Sequence, residues 1–382
     1  MNDPDAGGHV PQAHGPGADA VVSNGVRVAP GRTRWKEWIG YAAAAWSFIY
    51  GVLGLYWALG AAGFPFGRAN DPDAALSVLG GVRAEVGAPA IAALGLMGAL
   101  AAVAMARAWR RGLLRAVLLA FAWVVAAVLA LVIPDYRVLV AIAYAPIFVF
   151  GAPFGWPPAN YFESTLPWPV VNQFVCIAGG LLWAATATAY GRRTAVARGR
   201  GDPDTGWKSP EAAARWGRWA VYVSFVVPIL YAVTRGAWAL GVPLGITAGF
   251  LRWLHSTGLV WAGAGLAAVA VGGAVLTLGL ISRWGEVFPR WVPFLASRRV
   301  PIWLAVVPAS LVSVLVTAAG LMFVRLTLFG TLSLGERNLA LDENWAALAP
   351  ELLWPIWGAA LAAATLAYYY RRRGRRKHWR EP

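Results

Sequence analysis

The residues able to do chemistry in this chain are few, and each stands beside a long apolar run. Arg235 lies one helical turn before Trp238, Asp135 and Arg137 are separated by one residue, and Arg325 closes another run. A charge inside a bilayer is costly, so it is kept for function or with a partner. All four fall near predicted outer helix ends. There an arginine can extend to the headgroups or join a structural pair of the Arg235–Asp135 type. Asn172 and Gln173 stand early in another run, where amides bond neighbouring helices or line a passage for a small solute. The segment from Phe154 to Glu163 is aromatic and proline-stiffened. It reads either as a loop in the headgroup layer or as a cap over an outer vestibule, with Trp156, Asn160 and Glu163 as contacts.

Several chemistries lack their residues. Of four histidines, His9, His14, His255 and His378, only His255 is near an apolar run, and bis-histidine haem ligation needs two on facing helices. No His-Glu-x-x-His pair, acidic cluster or Gly-x-x-x-x-Gly-Lys loop occurs. No serine has an available base, and the predicted helices carry no paired acids at mid-depth. The single Cys176 lies in an apolar run and offers neither a disulfide framework nor a thiolate metal site. The expectation is a non-enzymatic chain with no catalytic residue, cofactor or metal.

The elements that must position these residues are set by composition. Of 382 residues, 59% are hydrophobic and 13% charged, where a soluble domain carries about 25% charged residues. That leaves too little polar surface to solvate a globule, and lipid is the alternative solvent. A bilayer core needs roughly 20 apolar residues in a helix. Runs of that size lie near 36–60, 86–107, 113–133, 169–190, 216–240, 257–281, 300–325 and 349–370. A ninth stretch, 138–151, is short and broken by Pro146, and reads as re-entrant or interfacial rather than as a crossing.

The net charge of +15 does not point to nucleic acid, because the basic residues cluster beside the apolar runs. With eight crossings, one side receives 25 lysines and arginines and the other seven. The rich side is cytoplasmic, which puts both termini inside and basic clusters near anionic headgroups.

The chain also repeats itself. Shifted by 181 residues, 34–60 meets 215–241 with ten identities in 27 positions, five of them Trp or Tyr. Tyr50 meets Tyr231, and Trp57-Ala58-Leu59-Gly60 meets Trp238-Ala239-Leu240-Gly241. A shift of 179 aligns Gly179, Leu182, Thr186 and Tyr190 with Gly358, Leu361, Thr365 and Tyr369. The predicted fold is therefore all-α transmembrane: about eight spanning helices as two parallel tandem four-helix repeats, plus one re-entrant or interfacial segment. The expected organisation is a disordered tail over 1–33, repeats at 34–193 and 215–372, a linker at 194–214, and a basic tail at 373–382. The copies differ at two places. The first alone carries the 138–168 insertion, and the second has Arg235 where the first has Gly54.

Trp57 and Trp238 close equivalent helices, as headgroup anchors or as paired flanks of an outer cavity. Around Trp57, Tyr56-Trp57-Ala58-Leu59-Gly60 followed by Gly63-Phe64-Pro65 resembles uncharacterised actinobacterial multi-pass membrane proteins. Those proteins carry a similar motif at the end of their first helix. The resemblance covers about 30 residues and weakens in the second copy, where Leu244-Gly245 replaces Phe-Pro. It implies a plasma-membrane location and no activity. The expected partners are membrane lipids or another membrane protein. The competing reading is a small-molecule transporter working through the interface of the two repeats.

Overall fold

The computed structural model describes residues 31–107, 112–154, 160–196, 206–290, 293–294, 296–329, 333–334, 337–338 and 343–378. The N-terminal tail reading over 1–30, Trp156 and the last four residues of the basic tail lie outside them. The described chain is helical: α1 (Gly31–Ala58), α2 (Ala84–Arg107), α3 (Leu113–Ala127), α4 (Tyr136–Gly151), α5 (Tyr161–Thr165) and α6 (Trp168–Val196) form the first half. The second half holds α7 (Pro210–Ala239), α8 (Ala248–Ser256), α9 (Leu259–Leu278), α10 (Ile302–Leu328), α11 (Ala349–Leu352) and α12 (Trp354–His378). Among the described residues, strand pairing is limited to Ser333–Leu334 against Arg337–Asn338 and one bridge between Val287 and Arg299.

Local sequence explains the helix ends. Ser209 accepts from the Ala212 amide and Pro210 follows at the first helical position, so α7 starts there. Gly60 and Gly241 take left-handed φ values of 89° and 83°. After each, the chain bonds back to the last helical turn, through Ala61 to the Tyr56 carbonyl and Val242 to the Ala237 carbonyl. A side chain with Cβ is strained in that conformation, and glycine ends both helices for that reason. The end of α3 loosens into a π turn over Val128–Val132.

Among the described residues, seven helices are long and apolar enough to cross a membrane: α1, α2, α3 with its π turn, α6, α7, α9 and α10. The protein is a multi-pass membrane protein. The eighth expected span, at 349–370, is interrupted at Leu353, and its longer part is the 25-residue α12. Its tyrosines, tryptophans and terminal arginines keep α12 out of that group of seven, although its length suffices. The 138–151 stretch is helical as α4, at 16 residues, which is short of the roughly 20 needed to span.

Packing follows small residues. A Cβ added at Gly95 of α2 would stand 2.5 Å from the Gly51 Cα of α1, so the two backbones meet where only glycine fits. Helix α6 packs on α1 and α3, while α12 packs on α7 and α10 and α7 packs on α9. Over half of the apolar window of α6 is buried (56%), against 17% for α3 and for α9. Helix α6 is thus central, and α3 and α9 keep apolar faces outward, as lipid contact requires. Between the halves lies α4, packed on α10 and α6, with Val138 joining Ile177 and Leu315 in one buried cluster. Tyr144 of α4 donates to the Ala262 carbonyl of α9 at 3.3 Å. The end of the bundle where α1 and α7 finish is called distal below.

Candidate functional site

The distal end holds two buried ionic clusters. The first is built on Arg137, in the opening turn of α4, which is 9% exposed. One edge of its guanidinium lies on Asp71, with Nη1 and Nη2 each donating at 2.8 Å. The other edge lies on Asp135, Nε donating at 3.0 and 3.1 Å and Nη2 at 2.7 Å. Burial opposes the cation, but the hydrogen bonds and charges of Asp71 and Asp135 more than offset it and hold its pKa above the ordinary value. The carboxylates are 4% and 2% exposed and accept further bonds. The Asp73 amide donates to Asp71, and the Gln173 Nε2 donates to Asp135 at 2.7 Å. Gln173 also accepts from the Asp135 amide through Oε1, at 3.0 Å. Arg325 of α10 donates to the carbonyls of Leu76 and Ser77, tying the second half to this loop. Each charge in the cluster has a partner, an arrangement that fixes geometry rather than offering a reactive group.

The second cluster surrounds Arg235 of α7, 8% exposed. Its Nη1 donates to Thr234 Oγ1 and the Ala346 carbonyl, and its Nη2 to the Ala347 carbonyl and Glu351 of α11. The guanidinium carbon stands 4.2 Å from the Trp238 ring centroid and 4.7 Å from that of Tyr231, a further attraction for the cation. Beside this pair opens a cavity of about 270 Å³. Its walls come from α7, α8, α9, α10, α11 and α12 of the second half and from Tyr136, Leu139 and Val140 of α4. The lining is aromatic and aliphatic except for Arg235 and Glu351. Helix α8 covers one side with Phe250, Trp253 and Leu254, and His255 reaches from it to the Trp238 carbonyl at 2.9 Å.

The predicted contact residues separate into different places. Arg235 and Trp238 are brought together at this cavity. Trp57 is elsewhere: it is 4% exposed in a row of rings from Trp46 through Tyr50 to Phe64 and Phe66. It is packing rather than a headgroup anchor, whereas Trp38 and Trp219 are about three-quarters exposed. Asn172 and Gln173 are both buried and point to different partners. Asn172 accepts from the Tyr50 hydroxyl at 2.9 Å and sits near Cys176. Asn160 caps the short α5, accepting from the Phe162 amide, and is exposed, as is Glu163. Trp156 lies outside the described residues.

Two expectations are corrected. Arg235 and Arg137 do not extend to the surface, because buried acids hold them inside. The acids are also different ones: Arg235 takes Glu351, and Asp135 takes Arg137. Sequence reasoning missed Asp71 and Glu351. A signal for Glu351 was present, since the 179-residue shift places it opposite Asn172, and a charge replacing Gly54 demands an acid nearby. Asp71 sits in a loop with no periodic pattern and carries no comparable mark. Among the described residues, no group of three or more His, Cys, Asp or Glu is placed to hold a metal ion. No family model, curated protein or solved structure matches the chain.

Proposed function

We propose that this chain is a non-enzymatic component of the plasma membrane that holds a membrane lipid in its distal cavity. The observation that carries this reading is the cavity itself: about 270 Å³, walled by rings and aliphatic side chains, at the meeting of the two halves. That volume is just under the roughly 300–1,000 Å³ of small-molecule pockets, and its lining suits an apolar body. The proposed arrangement is two parallel tandem units with both termini cytoplasmic and the distal end outside. It is supported by the basic clusters, the paired glycine closures at Gly60 and Gly241, and buried Tyr50 and Tyr231 at equivalent positions. The same units pair Asn172 with Glu351, each buried near its tyrosine's helix. A transporter would route solute past Asn172 and Gln173, and the bonds those amides already make favour the lipid-holding reading over that one.

Native mass spectrometry of the gently extracted protein tests the proposal. Wild type should retain a lipid-sized mass. Gly263→Leu should lose it, because Gly263 lines the cavity and an added Cβ stands 3.5 Å from Arg235 Cδ, leaving the branched end to fill the space. A wild type that flies as a clean protein mass, or a retained mass indifferent to Gly263→Leu, would sink the reading.

A further inference from the structure

We infer that the ligand of the distal cavity is a neutral lipid bearing a free hydroxyl, an inference that rests on the lipid-holding reading above. The cavity's polar wall is specific about what it still lacks. Glu351 gives one carboxylate oxygen to Arg235, and its Oε2 is buried with no hydrogen-bond partner. Trp354, also in the lining, has a buried indole Nε1 with no partner. The residues are 5% and 6% exposed. A buried polar group left unpaired costs free energy, and here one group wants a donor and the other an acceptor. A hydroxyl is both. It would donate to Glu351 and accept from the Trp354 N–H, with the apolar body against Phe250, Trp253 and Phe323.

Competing headgroups fit worse. All four terminal N–H bonds of Arg235 are engaged, by Thr234, the Ala346 and Ala347 carbonyls, and Glu351. A phosphate would therefore find no free fork and would face the Glu351 carboxylate. An ammonium would meet Glu351 but would place a second cation beside Arg235 at a pair whose net charge is already zero. Both orphaned atoms lie under the cavity wall rather than open to its free volume. The terminal torsion of a glutamate is soft, so the carboxylate can turn toward the ligand while either oxygen keeps Arg235, and the Trp354 ring must turn as well for its N–H to reach the hydroxyl.

The test uses full-length protein in detergent and two photoreactive probes, a long-chain alcohol with a diazirine in its chain and the methyl ether of the same molecule. Labelled peptides are located by mass spectrometry. The alcohol should label peptides of α7, α8 and α10 with a half-saturation at least about tenfold lower than the ether, the scale of a hydrogen bond to a charged group. Trp354→Phe keeps a ring against Tyr231 and Phe323 but removes the N–H, and should raise the half-saturation of the alcohol by about fivefold. Equal labelling of the cavity by both probes overturns the hydroxyl inference and leaves lipid holding intact. An alcohol half-saturation that Trp354→Phe leaves unchanged also overturns it. Absence of labelling at the cavity peptides by either probe removes the lipid-holding reading as well.

Discussion

Replacing Arg137 by Met should be among the most destabilising single substitutions in the protein. The side chain is close in length but brings no charge, so Asp71 and Asp135 would stay buried at 4% and 2% exposure without their cation. Removing one partner of a buried pair costs about 3–5 kcal/mol. Here one cation serves two carboxylates through five side-chain hydrogen bonds, which places the expected cost at the upper end, about 5 kcal/mol. Asp73 is the internal control. It lies 3.6 Å from the same guanidinium but its side chain is 62% exposed, and Asp73→Asn should cost no more than about 1 kcal/mol. Combining Arg137→Met with Asp71→Asn and Asp135→Asn removes every buried charge of the triad and should recover at least about half of the loss. Unfolding in detergent by SDS titration, followed by tryptophan fluorescence, reads all three variants. The reasoning is refuted if Arg137→Met and Asp73→Asn fall within about 1 kcal/mol of each other, or if the triple variant is no more stable than the single one.

Three further outcomes are expected. Gly95→Ala should destabilise by about 1–3 kcal/mol through overpacking, because its Cβ would strike the α1 backbone at Gly51. Gly272→Ala, with open space around it, should stay within about 1 kcal/mol of wild type on the stabilising side; the same SDS titration measures both, and equal costs would contradict the close crossing. A reporter fused after Arg193 should give a cytoplasmic signal, and an external signal would overturn the proposed orientation.

The helices themselves were legible because length and hydropathy are summed properties, insensitive to which neighbour each residue finds. Their ends were less so. The eighth run breaks at Leu353, where Pro350 and Pro355 flank a turn that periodicity does not resolve. The short, proline-containing 138–151 stretch differs in length from the seven apolar helices, and its wedge position between α6 and α10 depends on contacts far along the chain. Arg235 and Trp238 could be singled out together because one helical turn separates them. Their acid could not be identified from proximity in sequence, since Glu351 lies 116 residues away. The same holds for Asp71 and Arg137, 66 residues apart. Trp57 and Trp238 look alike in sequence, yet one is buried among rings that only the first half supplies, and the other flanks a cavity that needs α4 and α8.

The attachment of Arg325 to the Leu76 and Ser77 carbonyls has a consequence for how the chain comes to be inserted. Those carbonyls belong to a loop made early in synthesis, and the arginine that caps them emerges some 250 residues later. Shorter delays, of 177 and 118 residues, separate Val138 from Leu315 and Tyr144 from Ala262. During translation the first half must wait in the bilayer with α4 lacking its second wall and with loop carbonyls served by water. Synthesis of α9 and α10 closes both gaps, so the contacts that join the two halves can form only after most of the chain has been made.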